Sequence, residues 1–443
     1  MVEICTIGGY SEVGKNMTAI KSGDEVVILD MGINVPKLIN FEEEGNDRST
    51  LDAKKLINIG AIPDDGFIKE WGSKVKGIIC SHCHLDHVAA IPYLADKYNC
   101  PILGTPFTIE VIRTLLNDEK FKIRNKLVSV NVNSSYKLGN NFDIEFINMT
   151  HSTLQTVMIA VHVKEGTIIY ANDFKFDNNP ILGKKPNYER LRALGNENVI
   201  ALIVDSLYSN AERKTPSEKV ARELLKDVML GTENQDSLII VTTFASHLAR
   251  IRSIIDFSKL LNRKIVLMGR SMFKYCDAAE RIGLVNYSKE AEILAYARLI
   301  KKKLSDIEKN RSKYVIVCTG NQGEPESVLS KMADGRLPLN FKQEDHIIFA
   351  CKTIPEPLNI KNRSILEEKL KQKKVRIFSD IHSSGHCGRE DLRDLIKMVK
   401  PQNIFPAHGD KHKLMGLAEL AVEMGYSLGK TVHVMEDGKR ITL

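Results

Sequence analysis

The chain reads as an α/β protein of two domains, one inserted into the other. Three observations predict this: a histidine cluster carried by an early strand, a middle region of alternating helices and buried strands, and two more histidine loops near the end. At 443 residues the chain is long for one compact core, so two domains are the expected division. Apolar residues at 43% and charged residues at 27% are ordinary for a soluble globular protein. The balance of 63 Lys plus Arg against 56 Asp plus Glu leaves +7, compatible with a phosphate-rich partner and equally with a slightly basic enzyme surface. The first residues have neither a basic start nor a long apolar run, so no signal peptide or membrane span is expected, and the location is read as cytoplasmic. Eight cysteines are scattered, with C-x-x-C spacing only at Cys80 and Cys83; they are read as reduced, mostly buried thiols.

Short strands are expected at 3–7, 17–21 and 26–29, with turns at Gly8-Gly9 and Ser22-Gly23-Asp24. Asp30 closes the third, where it either caps the turn or orients a metal-bound imidazole from behind. Residues 33–71, with Glu42-Glu43-Glu44 and Asn46-Asp47-Arg48, show little periodicity and read as a polar surface excursion holding one short helix. A strand at 75–80 then runs into Ser81-His82-Cys83-His84-Leu85-Asp86-His87, and a helix leaves it from Val88. Imidazole nitrogen and carboxylate oxygen are ligands for zinc or a similar divalent ion. Four such groups crowd a single ion that must keep a position open for water. Two adjacent ions, roughly 3.5–4 Å apart, fit better and can activate a bridging hydroxide against a phosphate ester. The spacing H-x-H-x-D-H, with strand and helix both in place, is a specific signal.

The strand at 142–147 alternates apolar and polar residues and runs out at His151; that at 167–170 runs out at Asp173. Each alone serves a turn as readily as a metal. Beside the cluster they supply the further imidazole and the bridging carboxylate that two ions require. A buried strand at 199–204 ends in Asp205-Ser206. From Ser209 the pattern changes: a helix opens at Thr215-Pro216-Ser217-Glu218, with Thr215 as cap, Pro216 in first position and Glu218 as reciprocal partner. Strands at 237–242, 265–268, 314–318 and 346–350, with helices at 245–261 and, long and basic, 289–312, predict a parallel sheet covered on both faces. Lys301-Lys302-Lys303 and Lys371-Gln372-Lys373-Lys374 are solvated faces or contacts to a nucleic-acid backbone. A strand at 375–378 leads into His382-Ser383-Ser384-Gly385-His386, a helix follows with Leu392, Leu395, Ile396 and Val399 on one face, and 403–406 ends in Ala407-His408-Gly409-Asp410. The last segment is therefore expected to rejoin the first domain, which gives 1–208 and 373–443 to that domain and 209–372 to the insertion.

With these residues together, the sequence resembles the metallo-β-lactamase superfamily and, within it, the β-CASP nucleases, with ribonuclease J of the shorter archaeal form as the nearest likeness. The likeness rests on the stretch from Gly8 to Met17, the cluster from His82 to His87, Asn172 to Asp177, Ser209 to Arg213, Thr242 to Ser246, Gly269 to Met272, Thr319 to Pro325, His382 to His386 and Pro406 to Gly409. It departs where the family has Thr-Gly before the bridging Asp and this chain has Ala171-Asn172. It departs again after His151, where bacterial members carry Pro-Asp and this chain reads Ser152-Thr153. Neither change removes a ligand. The extra C-terminal domain of bacterial members has no counterpart in the chain.

The resemblance implies an αββα sandwich with an inserted α/β β-CASP domain. It implies two zinc ions per chain, one on His82, His84 and His151, the other on Asp86, His87 and His408, with Asp173 bridging. Asp30 and Asp205 resemble residues that hold imidazoles in the right tautomer. The implied chemistry is attack on a phosphodiester by a metal-bridged hydroxide. His386 is either the general acid that protonates the leaving oxygen or a histidine bonded to its own loop. Asp173 and Asp205 complete the expected catalytic set. His382, Ser383, Ser384, Gly385 and His386 are expected to hold a phosphate. Thr319, Gly320 and Gln322 form either a plain turn or part of the seat for an RNA 5′ end, and Thr243 is a weaker candidate for the same groove. The implied activity is 5′-to-3′ exonuclease action on single-stranded RNA that releases nucleoside monophosphates, by a homodimer. Two alternatives stand beside it. One is an endonuclease of the RNA 3′-end cleavage type, whose archaeal forms usually open on a KH region where this chain opens on the metal domain. The other is a non-catalytic RNA-binding scaffold, a kind that typically loses ligands.

Overall fold

Alternation along the strands decides how the sheets stack. In a computed structural model that describes residues 1–43, 51–118 and 121–443, Ile4, Ile20, Val27 and Ile79 enter one apolar cluster, while their neighbours Cys5, Ala19, Ile28 and Ile78 enter another. A two-residue period sends adjacent side chains to opposite faces, so each of these strands is buried on both. The same division recurs at Ile168 and Tyr170 against Ile169 and Ala171, and at Ile203 against Leu202 and Val204. The cluster they share is the seam between two sheets; the other two clusters are the seams between each sheet and its helices.

This sandwich is one compact unit, made of Met1–Asn178, Gly183–Thr215 and Ser384–Leu443. Its first sheet has seven strands, in the order Lys439–Thr442, Val2–Gly8, Met17–Ser22, Glu25–Leu29, Val75–Ile79, Ile102–Gly104 and Leu127–Ser129. The second has six: Ile404–Ala407, Val199–Asp205, Gly166–Ala171, Val157–Val163, Phe142–Asn148 and Ser134–Leu138. The late strands Ile404–Ala407 and Lys439–Thr442 pair within these two sheets, which ties the end of the chain to its beginning. Parallel pairing brings Leu29 beside Ile79, and Asp205 beside Ala407, so the loops that follow these strands open at common sheet edges. The layers are the expected αββα sandwich.

The second unit, Asn179–Leu182 with Pro216–Ser383, holds a six-stranded sheet that is parallel throughout. Its order is Glu292–Leu294, Lys264–Met268, Tyr314–Cys318, Ile239–Thr242, His346–Phe349 and Arg376–Phe378. The strand Arg376–Phe378 lies at its edge, so the sheet extends past the boundary expected at 373. Glu292–Leu294 is a second difference. The long basic helix expected at 289–312 is a strand followed by the shorter helix Ala297–Lys309, because Tyr296 sits in an extended conformation ahead of it.

Residues 33–71 also depart from expectation. They form the helices Val35–Glu43 and Ala53–Asn58 and the 3₁₀ segment Asp65–Lys74, and they bury Ile33, Leu38, Leu56, Ile62, Ile68 and Trp71 against the first sheet. Their apolar residues are divided among three short pieces, none long enough to show a period. Asn46-Asp47-Arg48 lies outside the described residues. In place of one helix leaving from Val88 there are two short ones, Leu85–Val88, which carries Asp86 and His87, and Ile91–Leu94.

The helix opening near Thr215 starts later than expected, at Glu218, with Ser217 as its cap. Thr215 serves elsewhere: its N–H donates to Asp391 Oδ2 at 2.8 Å and its hydroxyl to the carbonyl of His386 at 2.8 Å. The Glu218 carboxylate turns inward to Arg250, accepting from Nε at 2.6 Å and Nη2 at 2.9 Å. Arg250 is fully buried and also donates to the carbonyls of Ala350 and Ile381. Burial would raise the Glu218 pKa, but Arg250 and His247 hold it well below the usual range. Glu218→Ala strands a buried guanidinium and is expected to cost about 3–5 kcal/mol in urea unfolding. Because folding lowers this pKa, the contribution is complete above the ordinary carboxyl value of 4.5 and fades as pH falls below it.

Candidate metal centre

Each ligand candidate in the first unit sits just beyond the end of a buried strand. Asp30 follows Glu25–Leu29, the histidine cluster follows Val75–Ile79, His151 follows Phe142–Asn148, Asp173 follows Gly166–Ala171, and His408 follows Ile404–Ala407. Asp30, Asp173 and His408 have φ of 56°, 57° and 55°. This left-handed backbone costs a side-chain-bearing residue on the order of 1 kcal/mol or more and turns the chain sharply at the sheet edge. Backbone bonds hold it: Asp30 N–H donates to Ile79 O at 2.8 Å, and His408 N–H to Gly9 O at 2.6 Å.

Two groups of side chains result. His82, His84, His151 and Asp173 bring their donor atoms within 4.8 Å of one another, as do Asp86, His87 and His408. His82 Nε2 and His151 Nε2 each lie 3.1 Å from His84 Nδ1. Asp173 stands between the groups. Its Oδ2 is 3.5 Å from His82 Nε2, 3.6 Å from His151 Nε2 and 3.3 Å from His87 Nε2, and its Oδ1 is 3.7 Å from His408 Nε2. His386 completes a third group with Asp173 and His408, its Nε2 3.8 Å from Asp173 Oδ2 and its ring stacked at 5.5 Å on that of His408.

The imidazoles are oriented from behind. Asp30 Oδ2 lies 2.7 Å from His87 Nδ1 and accepts from Ser81 Oγ at 2.8 Å and from the Tyr170 hydroxyl at 3.0 Å. Ser81 Oγ is 3.0 Å from His82 Nδ1. His151 Nδ1 points at the carbonyl of Gly385, 2.7 Å away, and His386 Nδ1 at Asp205 Oδ2, 2.8 Å away. His408 Nδ1 meets Asn16 Oδ1 at 3.0 Å. Each of these contacts occupies one ring nitrogen and leaves the other aimed inward, the arrangement that fixes the tautomer of a metal-bound histidine.

The donor set fits a divalent ion on two further counts. Asp173 Oδ1 is buried with no hydrogen-bond partner, an orphaned acceptor in the middle of the cluster. The protonation balance also calls for positive charge. Burial pulls His82 and His151 well below the ordinary imidazole pKa and His84 down to about 4, so these three are neutral lone-pair donors. Burial also disfavours charge on His87, yet Asp173, Asp86 and Asp30 together drive its pKa well up. His386 behaves alike: burial opposes its charge, but Asp173 and Asp205 raise it to about 9. The buried carboxylates therefore favour protonated His87 and His386, positive charge that bound cations would also supply.

The other expected site residues are divided between the units. Ser384, Gly385 and His386 belong to the first, where Ser384 Oγ accepts the His386 N–H at 3.0 Å. Gly385 approaches so closely that a Cβ would meet His151 Nδ1 at 2.8 Å. Thr243, Thr319, Gly320, Gln322, His382 and Ser383 belong to the second. There Gln322 Nε2 donates to Lys352 O at 3.1 Å and its Oε1 accepts from Ile354 N–H at 2.7 Å, while Ser383 Oγ donates to Pro216 O. Thr319 Oγ1 accepts from Val328 N–H at 3.4 Å, Gly320 has φ of 121°, and Thr243 Oγ1 donates to Ala350 O at 3.4 Å. Burial, then Arg250 and His247, bring the His382 pKa down to about 3.

Reading the sequence gave no role to Asn16, Ser81, Tyr170 or Asn172. Asn172 Nδ2 donates to the Tyr170 hydroxyl at 2.8 Å and to Asn16 Oδ1 at 3.4 Å, so the departure from Thr-Gly supplies an amide behind the site. A signal for Asn16 was present in the Gly14-Lys15-Asn16 turn, where Lys15 has φ of 54°. Gly32 packs on this turn's partner. A Cβ there would stand 1.6 Å from the carbonyl oxygen of Asp86, so Gly32→Ala is expected to cost about 3 kcal/mol or more in thermal or urea unfolding.

The comparisons agree with this geometry. A family model described as the metallo-beta-lactamase superfamily matches residues 11–202, one described as "Ribonuclease J, beta-CASP domain" matches 236–366, and one described as "Zn-dependent metallo-hydrolase RNA specificity domain" matches 373–435. Ribonuclease J of Methanocaldococcus jannaschii is 43% identical over 99% of this chain and 98% of its own length. Ribonuclease J of Pyrococcus abyssi is 41% identical over 99% and 96%. Ribonuclease J of Helicobacter pylori is 30% identical over 99% of this chain but 60% of its own. A solved structure from Enterococcus faecalis, a protein of unknown function, superposes with a TM-score of 0.67 at 17% identity, covering 100% of both chains, and so shares the fold. Likeness that runs the whole length of an archaeal relative, through both sheets of the sandwich and the inserted domain, makes the chain a member of the ribonuclease J family of β-CASP metallo-hydrolases.

Proposed function

We propose that the chain is a two-zinc 5′-to-3′ exoribonuclease that degrades single-stranded RNA to nucleoside monophosphates. The observation that carries this reading is the position of Asp173 between the two groups of nitrogen donors: its Oδ2 faces His82 and His151 of one and His87 of the other, and its Oδ1 faces His408. In this reading His82, His84 and His151 would hold one ion and Asp86, His87 and His408 the other, with Asp173 available to either. When bound, such a pair lowers the pKa of a shared water and offsets charge on the phosphoryl oxygens of a phosphodiester.

The chain's own groups do the rest. His386 Nε2 faces the space beside Asp173, while Asp205 anchors its Nδ1 and favours the protonated ring. A proton held on Nε2 is placed for transfer to the leaving oxygen, which gives His386 the role of general acid and Asp205 that of its orienting partner. Ser384 and the backbone of Gly385 position that ring and His151 together, so the loop that receives the phosphate also aligns a ligand. His382, Ser383, Thr243, Thr319, Gly320 and Gln322 are assigned to the RNA strand on the resemblance to ribonuclease J, as is the direction of attack from the 5′ end. A cytoplasmic homodimer is part of the same reading. Among the described residues no helix is long and apolar enough to cross a membrane.

One RNA, labelled in turn at either end, tests direction and mode together. Mononucleotides released first from the 5′ label are expected; internal fragments would replace this reading with an endonuclease. His386→Ala is expected to lower kcat by about 10²–10⁴-fold with metal content unchanged. Asp30→Asn is expected to weaken zinc binding by about 10–100-fold, read by competition with a chelator.

A further inference from the structure

The first unit has a cavity of about 750 Å³ in its outer helical layer, bounded by the helices Tyr188–Leu194 and Arg389–Val399. That volume lies in the range of small-molecule sites and is far larger than a phosphate ion requires. Arg192, Lys214, Lys397 and Lys400 line it, against the single carboxylate of Asp394. Arg192, Lys397 and Lys400 make no ion pair among the described residues, and Lys214 Nζ only approaches Asp391 Oδ1, at 3.9 Å. Such unneutralised charge around one concave space favours an anion.

The remaining lining is Phe176 and Tyr188 together with Asn178, Asn196 and Met398. The half-buried ring of Tyr188 stands at the wall with the Arg192 guanidinium 5.7 Å from its centroid, and Phe176, 5.2 Å from Tyr188 between centroids, backs it. An aromatic ring paired with a guanidinium offers a planar ligand both stacking and a cation, and the lysines offer phosphate its counter-charges. None of these residues belongs to the metal cluster.

We infer that this cavity is a second nucleotide site, which takes the base against Tyr188 and Arg192 and the phosphate among Lys214, Lys397 and Lys400. Its walls are tied to the catalytic loops. Phe176 ends the segment that leaves Asp173. Lys214 precedes Thr215, whose hydroxyl holds the His386 carbonyl while Asp391 accepts from Thr215 and Gly388 N–H groups at 2.8 and 3.1 Å. The nucleotide arrives either free, as a product of RNA breakdown, or as one unit of an RNA strand lying across the helices.

Equilibrium dialysis of AMP against the full-length protein tests this, with Arg192→Glu/Lys397→Glu compared with His386→Ala. Both altered cavity residues are exposed, so the fold tolerates the change. The charge-reversed protein is expected to lose AMP affinity by about tenfold or more, while His386→Ala keeps a site for AMP. An affinity within about twofold of the parent after charge reversal overturns the proposal. So does inorganic phosphate displacing AMP as well as AMP itself, since the cavity would then select charge alone. A 2′-O-methyl RNA hexamer that competes with AMP assigns the site to a strand; failure to compete, with AMP still bound, assigns it to the free nucleotide. End-labelled RNA digestion by the charge-reversed protein separates this result from the exonuclease reading, because the metal cluster is untouched.

Discussion

Asp30, Asp173 and Asp205 are withdrawn from water at adjoining strand ends, and the first unit is arranged around that fact. A buried carboxylate is tolerated only where positive charge or several donors meet it. Here each is met by an imidazole, Asp30 by His87, Asp205 by His386, and Asp173 by His87, His82, His151, His408 and His386. Left-handed backbone at Asp30, Asp173 and His408 is the local cost of aiming those groups inward, and the buried strands before them supply the rigidity that sustains it. The interactions that offset the buried charge, drawn from strand ends of both sheets, also fix the geometry of the donors.

Much of this was legible in the sequence because strands announce their own ends. The alternation at 142–147 and the apolar run at 199–204 locate strand termini to within a residue or two, and His151 and Asp205 lie at or near those termini. The H-x-H-x-D-H spacing made its loop recognisable without any partner. What was not legible was support drawn from distant positions. Asn16 acts on His408, Tyr170 on Asp30 and the Gly385 carbonyl on His151, pairs separated by up to 392 residues and linked by no local pattern.

The misread elements fail for a related reason. Residues 33–71 look polar because Leu38, Leu56, Ile62, Ile68 and Trp71 are thinly spread, yet together they cover the outer face of the first sheet. At 289–312 composition favoured one long helix, but the short strand Glu292–Leu294 is set by parallel pairing with Lys264–Met268. Tertiary pairing overrides local preference where a segment is short. Thr215 is the sharpest case. It was read as the cap of the helix that follows, but Ser217 is the cap, and the Thr215 hydroxyl bonds the carbonyl of His386, 171 residues away.

That last contact changes how the returning segment should be understood. Ser384 to Leu443 rejoins the first unit with two candidate site loops, and neither stands alone. The His408 loop is held by Gly9 and Asn16 from the first strands. The His386 loop is held by Thr215 and, through its side chain, by Asp205, both from the chain that precedes the insertion. An inserted domain can therefore separate these segments in sequence without loosening the site, because every donor supplied after the insertion is bonded to a residue supplied before it. The reverse dependence holds for His151, whose orienting carbonyl, Gly385, lies beyond the insertion. Each half of the sandwich presents donors that only the other half can orient, so the candidate centre is assembled only once the chain has closed on itself.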